Sequence, residues 1–199
     1  MTERSNTKEI VRCSWANKHP LYITYHDEEW GIPVYNDIRL FEMLCLAGQQ
    51  AGLSWIIILK KRNNYRQLFH KFNPYKIAKM TAADVEKLLK DPSILRNKGK
   101  IQSIINNAKC FIKMEENGED FSKFIWSFVN NKPIIHDWKT NHTILTQSQE
   151  SAAMSKGLKK IGFNYIGTTI CYAFMQSVGM INDHIMECEF RKQNLDYTA

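Results

Sequence analysis

Apolar residues in this chain recur every three to four positions rather than every two, a spacing that builds helices and leaves little room for sheet. From Asp37 the run DIRLFEMLCLAGQQAGL sets Leu40, Phe41, Leu44 and Ala51 at helical intervals, with Asp37 as the N-cap. A second helix is expected from Ser54 to Phe69, joined to the first by a turn at Gly52-Leu53. Thr81 and Asp84 have the spacing of a capping box, with Asp where Glu or Gln is usual, and open the helix ADVEKLLKD. The segment SILRNKGKIQSIINNAKCFIKMEE predicts a longer amphipathic helix, with Ile101, Ile104, Ile105, Ala108 and Ile112 on its apolar side. Helix resumes over residues 149–160 and 168–178, and a short last helix is expected at HIMECEFR. Residues 130–148, with Pro133, Trp138, two His and three Thr, lose the period and predict an irregular loop. The fold class is therefore all-α.

A chain of 199 residues can bury one substantial core or two small lobes sharing an interface. The longest apolar run, around residues 53–59, is too short to span a bilayer, so no membrane segment is expected. The first residues are polar and lack a signal-peptide pattern. Residues 1–12 are read as a flexible tail, 13–190 as one domain of two helical lobes, and 191–199 as a second tail, with a cytoplasmic location expected. The net charge of +7 favours an anionic partner. The basic residues Lys60, Lys61, Arg62, Arg96, Lys98 and Lys100 fit either solvated helix faces or a nucleic-acid-facing surface. Five cysteines, an odd number widely spaced, argue against a disulfide framework, and Cys45, Cys110 and Cys171 fall in apolar helical stretches as core residues.

Residues 158–185, LKKIGFNYIGTTICYAFMQSVGMINDHI, contain a helix ending at Gly162, four intervening residues, Gly167, and a new helix opening with Thr168 and Thr169. Backbone without Cβ atoms next to the free amides of a helix N-terminus makes an anion site suited to DNA phosphate. An ordinary helical hairpin uses the same glycines as caps. The two ends of the chain also carry metal-ligand residues. Cys13 and His26 lie thirteen residues apart and need a loop to converge, whereas His184 and Cys188 are spaced to share one face of a helix. Together they make a Cys2His2 set of the structural-zinc type, and chance placement of buried Cys and His accounts for the same spacing. His19, His70, His136 and His142 are given no metal role.

The segments PLYITYHDEEWGIP, LCLAGQQAGLSW, LKKR, RNKGKIQ, WSFVN, GTTICY and NDHI, in that order, resemble the DNA-3-methyladenine glycosylase I family. The likeness covers roughly residues 13–188, apart from 133–148. It implies a helix-hairpin-helix glycosylase-like fold of two helical lobes. It also implies hydrolysis of the N-glycosidic bond of 3-methyladenine in double-stranded alkylated DNA by a monomer. By resemblance Cys13, His26, His184 and Cys188 hold a structural zinc that joins the N- and C-terminal segments. Trp55 stacks on the extruded base, Tyr25 and Trp30 wall the pocket, and Tyr22 and Trp15 border it, although core packing accounts for the same aromatics. Gly52 and Leu53 form a turn that probes DNA, with Leu53 as a wedge, or a core leucine beside a glycine turn. Gly162, Gly167 and Thr168 belong to the element that grips the DNA backbone.

Two departures are informative. In the endonuclease III-like branch a Val-Asp-Thr-His-like segment carries a catalytic aspartate; here the comparable residues are Ile181-Asn182-Asp183-His184, with Asn182 in the aspartate's place. Lys159 and Lys160 precede Gly162, which argues for a monofunctional enzyme without a lyase lysine. The family's pocket glutamate, which accepts a hydrogen bond from the base, is replaced by Ala47. Loss of such a bond costs roughly 1.5–3 kcal/mol, about ten- to hundredfold in base binding. The alanine is either a natural variation, with water or Glu42 taking over, or a replacement that traps product. Glu42, five residues back, lies on a different part of the helix. A non-catalytic protein that binds alkylation damage is thus a second possibility. A zinc-stapled helical interaction module without DNA affinity is a third, and it alone predicts no salt-dependent DNA binding.

Overall fold

The computed structural model describes residues 10–140 and 144–194; most of the two expected tails, and His142, lie outside them. Nine α-helices are described: α1 (Pro20–Glu28), α2 (Asp37–Gln50), α3 (Trp55–Leu68), α4 (Pro74–Ile77), α5 (Ala82–Lys90), α6 (Lys98–Glu116), α7 (Phe121–Ser127), α8 (Gln149–Ile161) and α9 (Thr168–Ser177). A two-stranded parallel sheet of β1 (Ile134–Ile135) and β2 (Ile181–Asn182) pairs Ile134 with Ile181 and Ile135 with Asn182. The all-α expectation holds, since the sheet is a clasp of four residues. Among the described residues no helix is long and apolar enough to cross a membrane.

Local chemistry sets the helix ends. Asn36, one residue before the expected cap, accepts from the Arg39 N–H, and Asp37 instead receives the Ser122 N–H at 3.0 Å, tying α7 to the start of α2. Thr81 and Asp84 make both bonds of the capping box. Ser148 and Ser151 make a second box at the start of α8, one that sequence inspection missed because serine rarely fills the N3 role.

Three expectations need correction. The long helix begins at Lys98 rather than Ser93, because Asn97 caps the Lys100 N–H and the preceding backbone is held elsewhere: the Ser93 N–H donates to Asp91 and the Leu95 N–H to the Tyr65 hydroxyl. HIMECEFR is not an α-helix, and only its end enters a helix, the 3₁₀ turn Glu189–Asn194. Its first residues run extended from β2 through a bridge between Ile185 and Trp138, with the Met186 N–H donating to the Trp138 carbonyl, and they enter a turn before Cys188. The loop over residues 130–148 therefore contributes β1 and Trp138 to that clasp. Helices α1, α4 and α7 were not anticipated: they span nine, four and seven residues, too few for a clear apolar period.

Helix α2 is the axis of the core. Leu40 through Gln49 are all buried, and the helix packs against α3, α6 and α9. Its buried carboxylate, Glu42, is paired with Arg39 at 2.9 Å and Arg66 at 2.7 Å, as a buried charge must be. Glu29, at the end of α1, is clamped by Arg62 and Arg39. Desolvation would raise its carboxyl pKa, but the two guanidinium groups outweigh burial and hold it below the usual value. Glu42 on α2 and Arg62 on α3 are thus each held in structural ion pairs, Glu42 with Arg39 and Arg66 and Arg62 with Glu29.

Candidate active site and metal centre

The two chain ends converge on four buried ligand residues. Cys13 precedes the 3₁₀ turn Ala16–Lys18, His26 stands in the last turn of α1, and His184 and Cys188 flank the turn after β2. The expected helical face for His184 and Cys188 is replaced by this extended-and-turn geometry, which still brings Cys188 Sγ to 3.3 Å from His184 Nδ1. Cys188 Sγ lies 3.6 Å from His26 Nε2, and Cys13 Sγ lies 3.7 Å from His184 Nδ1. All four ligand atoms fall within 4.8 Å of one another. Metal bonds of ~2.0 Å to nitrogen and ~2.3 Å to sulfur give tetrahedral edges of about 3.3–3.8 Å, so a tetrahedral cation fits here with small shifts.

The surroundings prepare the ligands for that role. His26 Nδ1 donates to Asp27 at 2.8 Å, which leaves Nε2 facing the thiols, and Asp27 is itself held by Arg12 at 2.7 Å. His184 Nε2 donates to the Trp30 carbonyl at 3.1 Å, which leaves Nδ1 for the centre. The Cys188 thiol is held well below the usual thiol range, chiefly by the bond from Cys13 and, against burial, by the two histidines. Cys13, donating to Cys188 and buried, is pushed up. The thiolate is the form a metal binds.

Directly beside this centre is a cavity of about 500 Å³. One side is aromatic: Trp15, Tyr22, Tyr25 and Trp30 come from the N-terminal segment and Trp55 from the first turn of α3. Trp15 meets Tyr22 edge-on at 5.6 Å and Trp30 at 5.0 Å, and Tyr25 and Trp55 lie 5.5 Å apart with a 53° tilt. The Tyr22 hydroxyl accepts the Ile56 N–H at 3.1 Å, tying the N-terminal segment to α3. Trp30 is the shared wall between the cavity and the Cys2His2 cluster. Its ring touches His184 at 4.5 Å and stacks on His26 at 5.9 Å, and its carbonyl binds His184. The Trp55 indole N–H is buried and has no partner among the described residues.

The other side comes from α2 and α9, with Ala47 and Gln50 facing Tyr172, Ala173, Gln176 and Ser177. Ala47 is buried, and no carboxylate lines the cavity among the described residues. Asp183, fully buried behind the α9 wall, is bonded to the lining residues Tyr172 and Gln176. Sequence inspection missed this wall. Its trace was a helical spacing, residues 172, 173, 176 and 177 on one face of α9, with no chemistry to distinguish them from core.

Gly52 and Leu53 form the turn at the cavity rim. Gly52 has φ +76°, a left-handed conformation that favours glycine, and Leu53 projects to solvent, 38% exposed, where a core leucine would be covered. The C-terminus of α2 leading into this turn is held by Lys100, which is buried. Its ammonium donates to the carbonyls of Gln49 and Ala51, each at 2.7 Å, while Gln49 returns a bond to the Lys100 carbonyl at 2.8 Å. Desolvation lowers the Lys100 pKa. Lys100 is therefore neither a solvated nor a DNA-facing cation. Replacing it with methionine leaves both carbonyls without their donor, at about 1–3 kcal/mol. The expected drop in thermal midpoint is about 3–10 °C, read by calorimetry, and an unchanged midpoint would contradict the role assigned to this lysine.

In the second glycine element, Gly162 ends α8 in a left-handed cap at φ +109°, its N–H donating to Leu158 and Lys159. Gly167 is the N-cap of α9, no side chain caps the amides there, and the space where its Cβ would stand is open. Thr168 is the first residue of α9. Between them the chain is docked by small residues opposite it: a Cβ on Gly48 would meet the Tyr165 carbonyl at 3.0 Å, and one on Gly99 the Tyr165 hydroxyl at 2.7 Å. Asn107 bonds both the N–H and the carbonyl of Asn164. The hairpin is thus fixed to α2 and α6.

Comparison with known proteins agrees with this architecture. The methyladenine glycosylase family matches residues 15–192. The chain is 55% identical over 179 residues to DNA-3-methyladenine glycosylase 1 of Escherichia coli (strain K12), spanning 90% of this chain and 96% of that one. It is 51% identical over 178 residues to the DNA-3-methyladenine glycosylase of Haemophilus influenzae (strain ATCC 51907 / DSM 11121 / KW20 / Rd), covering 89% and 96%. A crystal structure of a tyrosine-to-phenylalanine variant of 3-methyladenine DNA glycosylase I, in complex with 3-methyladenine, superposes with a TM-score of 0.87 at 36% identity, covering 90% of this chain and 97% of that one.

Proposed function

Because the chain belongs to the methyladenine glycosylase family, we propose that it hydrolyses the N-glycosidic bond of 3-methyladenine in alkylated double-stranded DNA, leaving an abasic site. The observation that carries this function is the aromatic cavity of about 500 Å³ walled by Tyr22, Tyr25, Trp30 and Trp55 and opening beside the exposed Leu53. Methylation at N3 makes the base a cation and a ready leaving group. The enzyme's work is to extrude the base, at about a few kcal/mol of unstacking, and to hold it. Aromatic faces hold a cation well, with Trp55 as the stacking surface. Leu53 enters the gap left in the helix. The open amides at Gly167 and Thr168 grip a backbone phosphate, which makes the glycine element a helix-hairpin-helix. The C1′–N9 bond then breaks with its electron pair leaving on the base, which departs neutral, and water adds at C1′ and gives up its proton to solvent. No lysine lines the hairpin after Gly162, which supports a monofunctional enzyme without strand cleavage.

The Cys13, His26, His184 and Cys188 set suits zinc, since two thiolates and two imidazoles in closed tetrahedral array make a structural site. Its part is to fasten the chain ends and to fix Trp30 through His184 and His26.

Incubation with methylated duplex DNA is the test. Alkali-labile sites should accumulate without nicks before alkali, and binding should weaken steeply with salt. Trp55→Ala should slow their formation about tenfold, the value of one base–aromatic stack. A chain that binds methylated DNA and forms no alkali-labile sites would be the non-catalytic damage binder that Ala47 makes conceivable. A chain with no salt-dependent DNA affinity would be an interaction module instead.

A further inference from the structure

Building on the glycosylase function proposed above, we propose that Gln176, oriented by Asp183, is the hydrogen-bond acceptor for the exocyclic amino group of the extruded base. It thereby sets a preference for an amino-purine over an oxo-purine. With alanine at position 47, the α2 side of the cavity offers the base no carboxylate. The α9 side is arranged to accept. Asp183 is completely buried, and its two oxygens are shared among four donors. Oδ1 receives His136 Nδ1 at 2.7 Å and Trp138 Nε1 at 2.6 Å. Oδ2 receives the Tyr172 hydroxyl at 2.8 Å and Gln176 Nε2 at 2.7 Å.

That network decides which atoms face the cavity. The Gln176 amide cannot turn over, because its oxygen would then meet a buried carboxylate. Its Nε2 is committed to Asp183, and among the described residues no donor is directed at its Oε1. The Tyr172 proton is committed to Asp183 and the Ser177 proton to the Phe174 carbonyl at 2.7 Å. Gln176 and Tyr172 therefore offer lone pairs, while the Ser177 oxygen is engaged with Tyr25. In DNA, 3-methyladenine carries its only N–H bonds on the exocyclic amino group, which suits such a wall, and its positive charge is further favoured by the carboxylate behind it. 3-Methylguanine presents a carbonyl oxygen at the same ring position, and two acceptors would then oppose each other. Gln176 is thus a base-binding residue and Asp183 a positioning residue.

The experiment measures release of both bases from one methylated duplex by mass spectrometry, with the whole chain and its variants. Gln176→Leu fills most of the same space with an apolar side chain one bond shorter and removes the acceptor. The 3-methyladenine to 3-methylguanine release ratio should fall about tenfold, the loss of one hydrogen bond to a charged group. Asp183→Asn should lower the same ratio. Adding Ala47→Glu to Gln176→Leu should restore 3-methyladenine release to within about threefold of Ala47→Glu alone, since one good acceptor suffices for one amino group. A merely structural role predicts equal losses for both bases and no such rescue, and either finding overturns the proposal. An unaltered chain that releases 3-methyladenine, matched in rate and ratio by Gln176→Leu, overturns this assignment alone. An unaltered chain that releases no base overturns the glycosylase function and this inference together.

Discussion

Replacing Cys188 with serine is expected to strip the metal from the centre and to lower the thermal midpoint by about 10 °C or more. Cys188 is the residue through which the cluster is organised, contacting His26 and His184 and accepting a bond from Cys13. A closed Cys2His2 zinc site stabilises small folds by about 10 kcal/mol or more, and a fraction of that carried over to this domain is sufficient for the shift. The loss should spread to the cavity, because Trp30 is held by the same two histidines. Trp30 should become more accessible to a fluorescence quencher, and extraction with a strong chelator should reproduce the variant's melting curve. Cys45→Ser and Cys171→Ser are the controls. Both thiols are buried and free, burial pushes the Cys171 thiol up to about 12, and neither lies in the ligand cluster. They should retain the metal. A Cys188→Ser protein with an unchanged midpoint and chelator response would show that no metal fastens the chain ends.

Ala47→Glu is expected to speed 3-methyladenine release about ten- to hundredfold. Ala47 lies on α2 with its side chain on the cavity, opposite the α9 wall, so a longer side chain there extends into open volume rather than into core. A carboxylate at that place pairs with the cationic base and accepts from its amino group, a charge-assisted bond. The same carboxylate faces aromatic rings before the base arrives, and desolvation raises its pKa and lowers the stability of the free protein. The substitution should therefore trade stability for rate. Measured across pH, the gain should be largest where the introduced group is ionised and shrink as it is protonated on acidification. Equal rates for both proteins would mean that stacking and the Gln176 side of the pocket already supply what the base requires.

Much of the frame was readable from spacing. The α2–turn–α3 unit, the capping box at Thr81 and the hairpin from Gly162 to Gly167 each rest on local rules that act within a few residues. What spacing could not supply was long-range pairing. The parallel clasp of Ile134–Ile135 with Ile181–Asn182 turned the start of an expected helix at HIMECEFR into extended chain and a turn, and no local pattern announces a two-residue strand. Lys100 looked like a surface cation because its partners are carbonyls 49 and 51 residues away in sequence. The candidate pocket was half legible. Its N-terminal aromatics are concentrated in the chain, whereas Tyr172, Gln176 and Asp183 acquire a site only when α9 folds against α2.

The central claim is that this chain extracts a methylated, cationic adenine from DNA. The most direct measurement is mass-spectrometric detection of the free base after incubation with duplex DNA carrying methylated purines. We predict free 3-methyladenine, matched by an equal amount of abasic site, and no free adenine. Adenine released at a comparable rate, or no base released even by the Ala47→Glu protein, would contradict the account.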